Sequence, residues 1–225
     1  MMAISDSLKS VKNRIAAACV AAGRPPNEVQ LLVVSKTFPG SAVREAFAAG
    51  ARAFGENYVQ EGLAKVQELI DLRGQIEWHL IGPLQSNKTK AVAEQFDWVH
   101  SVDRLKIAER LSEQRPAALP PLNICLQVNI SEEASKSGLV PADVAALAAQ
   151  VAALPRLKLR GLMAIPEPGP GALAQHQAMA ALFKALQAEG LALDTLSLGM
   201  SADLEDAIRA GSTMVRVGSA IFGAR

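Results

Sequence analysis

The stretch Leu31-Leu32-Val33-Val34-Ser35-Lys36-Thr37-Phe38-Pro39 decides how the chain reads. Four consecutive aliphatic residues leave the strand no polar face. Such a strand has helices on one side and other strands' side chains on the other, which is the parallel α/β arrangement. It ends in the polar turn Ser35-Lys36-Thr37, with neither a GxGxxG nor a GxxxxGK[ST] phosphate loop after it.

The same unit recurs on moving outward from that strand. Apolar runs at 29–35, 52–54, 78–81, 98–101, 123–128, 159–165, 195–198 and 214–217 are candidate strands. Between them, Ala-rich segments near 41–49, 57–72, 87–95, 103–115, 141–153, 171–189 and 201–210 are candidate helices. Upstream, Ile4, Leu8, Val11, Ile15 and Cys19 recur at steps of three and four and give residues 5–22 an apolar helical stripe, stopped by Gly23-Arg24-Pro25-Pro26. Eight strands, a helix after each of the first seven and a chain ending just after the eighth point to a single (β/α)8 TIM barrel over residues 1–225, of the α/β class, with an extra N-terminal helix. A doubly wound open sheet is the alternative, and the missing glycine-rich turn weighs against it. The proline-rich pieces 116–121 and 166–171 read as loops, and the polar segment 129–138 reads as a loop at the barrel mouth.

Composition narrows the function classes. The 225 residues carry 23 basic and 22 acidic side chains, a net charge of +1, which argues against a broad basic surface for nucleic acid. Aromatics make up 4% of the chain, too few for base-stacking platforms. Cys19 and Cys125 lie far apart, outside any metal-ligand spacing, and read as reduced core thiols. Residues 1–22 carry charges throughout, unlike a signal peptide, and no run approaches the roughly 18 apolar residues that span a bilayer, so a cytoplasmic protein is the expectation.

In a barrel, function gathers at the C-terminal ends of the strands. Lys36 closes the first strand on the face of Leu32 and Val34. An ammonium rising from that apolar wall would have a lowered pKa and suit attack on an aldehyde; a lysine leaning into solvent is the plainer alternative. Arg216, inside the apolar run Met214-Val215-Arg216-Val217, needs an anion or another acceptor, or else forms a structural salt bridge. The segments Ser197-Leu198-Gly199-Met200-Ser201 and Gly218-Ser219 end the last two strands, where barrels of this kind bind phosphate. Ser201 also reads as an ordinary helix N-cap. Asn57 either bonds a ligand ring or caps the next helix. His79 faces the interior, as ligand contact or as a satisfied core residue.

These stretches resemble a known family. The ordered motifs are Val33-Val34-Ser35-Lys36, Phe54-Gly55-Glu56-Asn57-Tyr58-Val59-Gln60-Glu61, Trp78-His79-Leu80-Ile81-Gly82-Pro83-Leu84-Gln85-Ser86-Asn87-Lys88, Gln127-Val128-Asn129-Ile130, Ser135-Lys136-Ser137-Gly138, Arg160-Gly161-Leu162-Met163, Leu198-Gly199-Met200-Ser201-Ala202-Asp203 and Arg216-Val217-Gly218-Ser219-Ala220-Ile221-Phe222-Gly223. Together, from about residue 29 onward, they are similar to the YggS/PROSC family of pyridoxal 5′-phosphate (PLP) homeostasis proteins. The resemblance implies a fold type III barrel like the alanine racemase N-terminal domain. It implies PLP held as a Schiff base on Lys36, Arg216 facing the pyridine nitrogen, Ser201, Gly218 and Ser219 at the phosphate, and Asn57 at the ring. His79, Ser197 and Met200 complete the candidate cofactor-binding set; no catalytic residue and no metal site is expected.

An arginine at the pyridine nitrogen keeps that nitrogen unprotonated and weakens the electron sink. Racemisation also needs a second acid/base on the opposite face. In alanine racemase a separate domain supplies it as a tyrosine, whereas here the one tyrosine is Tyr58 and the chain stops at Arg225. The expectation is therefore a monomeric, non-catalytic PLP carrier or regulator in vitamin B6 homeostasis, with PLP-dependent apo-enzymes as candidate recipients. A low-activity racemase and a PLP-free Schiff-base aldolase are the alternatives. Lys88, Lys90 and Lys136, near the expected mouth, are candidates for a second, transient PLP-binding lysine.

Overall fold

The structure is a computed structural model that describes residues 3–133, 136–167 and 169–223. Its strands are β1 (Gln30–Val34), β2 (Ala53–Glu56), β3 (Glu77–Leu80), β4 (Trp98–Val102), β5 (Leu122–Gln127), β6 (Leu157–Met163), β7 (Thr195–Ser197) and β8 (Met214–Val217). They pair in parallel in chain order and close through β1 and β8, where Leu32 lies opposite Arg216 and Val33 opposite Val217. The eight-stranded closed barrel expected from the alternation is what forms, and the open sheet is excluded.

The helices are α1 (Ile4–Ala21), α2 (Gly40–Ala48), α3 (Val59–Glu68), α4 (Thr89–Gln95), α5 (Leu105–Gln114), α6 (Val144–Ala152), α7 (Ala172–Ala188), α8 (Leu204–Ala210) and α9 (Ser219–Phe222). Three differences from the sequence reading matter. The segment 57–72 splits into α3 and a separate 3₁₀ turn, Ile70–Leu72. A one-turn helix, α9, follows β8 where the sequence reading placed only a short tail. The helix expected to begin at 201 begins at Leu204, after a turn.

α9 is too short to cover β8 and β1 from outside. α1 does so instead, burying Leu8, Val11, Ile15 and Cys19 and packing against α8, α9 and α2. Each such buried aliphatic side chain contributes about 1.5–3 kcal/mol. The main core fills the space between strands and helices, with Val33, Val215 and Val217 in it. The opposite faces of the strands form smaller clusters, Leu32 with Ala53 and Met214, and Trp98 with Cys125 and Met163. Cys19 and Cys125 are both free and buried, as the composition suggested. No described helix is long and apolar enough to cross a membrane. Residues 134, 135 and 168, and with them Ser135 of the fifth motif, lie outside the described residues.

Candidate functional site

The C-terminal strand ends converge on a cavity of about 340 Å³. Lys36 enters it two residues beyond β1, and Asn57 and Ile81 enter one residue beyond β2 and β3. Met200, Ser201 and Ala202 come from the turn after β7; Arg216, Gly218 and Ser219 come from β8 and its end. The fold thus brings Lys36, Asn57, Met200, Ser201, Arg216, Gly218 and Ser219 to one wall. His79 and Ser197 are not on it: both are fully buried, one layer deeper in the barrel.

Gly218 lets β8 pass close to β1, since a Cβ there would stand 2.8 Å from the Val34 carbonyl oxygen. Ser201 does not cap a helix, because Asp203 takes the N-cap position of α8. Asp203 accepts the Met200 amide at 2.7 Å and pairs with His176 Nε2 at 3.0 Å. Burial alone would raise the Asp203 carboxyl; His176 and the Met200 amide outweigh it and hold the group below its usual range. The Ser201 hydroxyl is left to turn toward Ser219, at 3.3 Å. Arg14 of α1 donates to the Ser201 carbonyl at 3.2 Å and grips Glu205 with two nitrogens, tying the N-terminal helix to this turn. Asn57 is likewise not a cap: α3 begins at Val59 after Tyr58.

Arg216 is 4% exposed, and its guanidinium is held by neutral oxygens. Nη1 donates to the Ser197 carbonyl at 2.7 Å and to Ser197 Oγ at 2.8 Å; Nη2 donates to the Ala164 carbonyl at 2.9 Å. Among the described residues no carboxylate makes a salt bridge with it. Three of its five N–H groups are thereby used, which leaves Nε and one Nη2 hydrogen for the cavity. Burial lowers its pKa to about 10, so it stays charged at neutral pH.

The backbone on both sides of Lys36 is clamped from outside the barrel. Lys65 Nζ donates to the Ser35 carbonyl at 2.6 Å, and to Glu56 Oε1 and Glu61 Oε1 at 2.8 Å each. Ser35 Oγ donates to Glu56 Oε1 at 2.6 Å, and the Thr37 amide, at a φ of 68°, donates to Glu61. Burial pushes the Glu56 carboxyl up, against the pull of Lys65 and Ser35.

A second cavity, of about 260 Å³, adjoins the first and shares Asn57, Ile81 and Ile165 with it. Lys136 lines it, paired with Glu133 at 2.5 Å and Glu167 at 3.8 Å. Lys90 pairs with Glu94 at 4.0 Å on the surface, and Lys88 ends the 3₁₀ turn Ser86–Lys88; neither lines a cavity at the mouth. No cluster of three metal-ligating side chains occurs among the described residues.

The sequence reading passed over His100. It lies on β4 two residues from Trp98, is fully buried, and joins His79 to Ser197. Its alternation with Trp98, which stands opposite His79 across the β3–β4 pairing, was the signal available. Burial lowers the pKa of His79 and drives that of His100 well below the ordinary 6.5. Because the folded state keeps these rings neutral, the unfolded chain binds more protons below pH 6.5, and their contribution to stability is lost as pH falls. Glu56, with a raised pKa, works in the opposite direction. The comparison that isolates the ring is therefore with His100→Gln. Between about pH 7 and 5 the wild type is expected to lose more stability than this variant, by about 1 kcal/mol or more. Parallel urea-denaturation pH profiles for the two proteins would contradict this.

The alanine racemase N-terminal domain model matches residues 7–225, which sets the class of barrel. Within that class, a pyridoxal phosphate homeostasis protein of Pseudomonas aeruginosa is 62% identical over 225 residues, covering 100% of this chain and 97% of the relative. One from Escherichia coli K12 is 57% identical, covering 99% and 97%. The structure of PipY from Synechococcus elongatus with PLP bound matches with a TM-score of 0.80 and 41% identity, over 93% of this chain and 100% of that one. This chain belongs to the family of pyridoxal phosphate homeostasis proteins.

Proposed function

We propose that the protein binds PLP at the 340 Å³ cavity, as a Schiff base on Lys36, and serves intracellular PLP homeostasis without catalytic turnover. One observation carries the reading. A lysine amine, a buried guanidinium with donors to spare, and two neighbouring serine hydroxyls share one cavity wall. That set matches the aldehyde, pyridine nitrogen and phosphate of a single small molecule. The relatives' names and the PLP bound to PipY support it.

Bound PLP would supply an electrophilic aldehyde. Lys36 Nζ, once deprotonated, condenses with it: a C=N bond replaces C=O and one water leaves. Ser201, Gly218 and Ser219 take the phosphate, Asn57 contacts the ring, and Met200 closes the side. Arg216 offers only donors, so the ring nitrogen facing it accepts and stays unprotonated, which disfavours carbanion chemistry. Tyr58, the chain's one tyrosine, is 59% exposed and does not line the cavity, so it supplies no opposing acid/base there. His79 and Ser197 act on the cofactor through Arg216. Residues 1–225 act as one barrel domain, a cytoplasmic monomer that yields PLP to apo-enzymes.

Borohydride reduction of the PLP-loaded protein, followed by peptide mass spectrometry, is expected to find the pyridoxyl group on Lys36. Modification confined to Lys88, Lys90 or Lys136 would refute the assignment.

A further inference from the structure

We infer that His100 is a positioning residue for Arg216, acting through a one-way chain of hydrogen bonds that crosses the barrel interior from the cavity floor to His79 on β3, whose far nitrogen faces the Glu77 carboxylate. The inference rests on the proposed reading in one respect, that the remaining Arg216 donors face a bound ring.

The chain runs from Arg216 Nη1 to Ser197 Oγ at 2.8 Å, from Ser197 Oγ to His100 Nδ1 at 3.1 Å, and from His100 Nε2 to His79 Nδ1 at 2.9 Å. It ends with His79 Nε2 facing Glu77 Oε2 at 3.7 Å. Its lower end sets the direction, and its upper end is compatible with it. At the top, a guanidinium can only donate, so Ser197 Oγ accepts from Arg216 and its own hydroxyl hydrogen is free to pass on to His100. At the bottom, a carboxylate can only accept, so the imidazole nitrogen facing Glu77 carries the hydrogen. A neutral imidazole has a single N–H. His79 Nδ1 is then an acceptor, His100 Nε2 the donor to it, and His100 Nδ1 the acceptor from Ser197. Both rings are neutral Nε2–H tautomers, and every hydrogen points away from the cavity.

This accounts for a buried atom otherwise left over. His79 Nε2 has no hydrogen-bond partner, and in this tautomer its N–H faces the negative Glu77 carboxylate 3.7 Å away, an electrostatic contact. The rings have little room to adapt. His79 stacks on Trp98 with centroids 5.1 Å apart and planes 12° from parallel, and the His100 ring lies 5.2 Å from His79. In this arrangement the Ser197 hydroxyl that accepts from Arg216 gives its own hydrogen to His100 Nδ1. Without His100, Ser197 Oγ is free to rotate and the Arg216 donors facing the cavity lose their aim.

The tautomers can be read without any cofactor. Nitrogen-15 imidazole spectra of the full chain at pH 7, assigned with the His100→Gln variant, are expected to show His79 and His100 with a hydrogen on Nε2 and none on Nδ1. A hydrogen on Nδ1 of either ring, or a charged ring, would overturn the chain. The second arm measures PLP affinity of wild type, His100→Leu and His100→Gln, each checked for its fold by circular dichroism. Glutamine can accept from Ser197 and donate to His79; leucine can do neither. His100→Leu is expected to bind PLP about tenfold more weakly with a shifted absorption maximum, and His100→Gln to stay within about threefold of wild type. Equal binding by all three proteins, or equal losses in both variants, would refute the positioning role. If the wild type bound no PLP at all, the functional reading would fail, while the tautomer pattern would still decide the chain.

Discussion

Lys65→Met is expected to cost about 3–5 kcal/mol of folding stability, because it breaks a buried ion pair from one side. Lys65 is 4% exposed, and its ammonium sits between the Ser35 carbonyl, Glu56 and Glu61. Methionine matches its length and none of its charge. Glu56, fully buried, would keep only the Ser35 hydroxyl as a donor, with its Oε2 already unpartnered. A lone buried carboxylate is far costlier than a buried pair, so it would take up a proton. The double variant Lys65→Met/Glu56→Leu removes the stranded charge and is expected to recover most of the loss. Urea denaturation measures both. Additive losses in the double variant would show that the two groups do not act as a pair. Because the cluster clamps Ser35 and Thr37, Lys65→Met should also weaken PLP binding.

Gly82→Val is expected to lower stability by about 3 kcal/mol and to weaken PLP binding along with it. Even the first carbon of a side chain at Gly82 would lie 2.0 Å from the Asn57 carbonyl oxygen and 2.7 Å from its Cα. Those are backbone atoms and cannot rotate aside, so the turn carrying Asn57 must move out of the cavity wall. Gly74→Ala is the control: a Cβ there meets nothing within 4 Å, and the change should stay within about 0.5 kcal/mol. A Gly82→Val protein as stable as the Gly74→Ala control would contradict the close approach of Gly82 to the Asn57 backbone.

The barrel was legible because its signal is local. Leu31 to Val34 read as a doubly covered strand, and seven further runs repeated it. Strict alternation placed Lys36 beyond Val34, and Arg216 with Met214 and Gly218, on the face that lines the barrel and its mouth. What escaped depends on how strands are staggered. Alternation gave the face of His79 but not its depth, which is set by pairing with Gly55 on one side and Trp98 on the other. The same holds for Ser197, which sits opposite Met214 below the mouth. The Glu56–Lys65 pair was invisible because its members lie 9 residues apart on elements that only folding brings together, and His100 was signalled only by its alternation with Trp98, its partner Ser197 lying 97 residues away. Ser201 looked like a cap, but α8 begins three residues later with Asp203 at its N-cap position, and the Asp203 carboxylate turns back to the Met200 amide and to His176 on α7.

The most direct test is an absorbance titration of the purified protein with PLP beside its Lys36→Ala variant. A Schiff-base band that saturates at one PLP per wild-type chain and is missing in Lys36→Ala is the result expected. A wild type that stays colourless in excess PLP, or a variant that develops the same band, would contradict the assignment of the cofactor to Lys36.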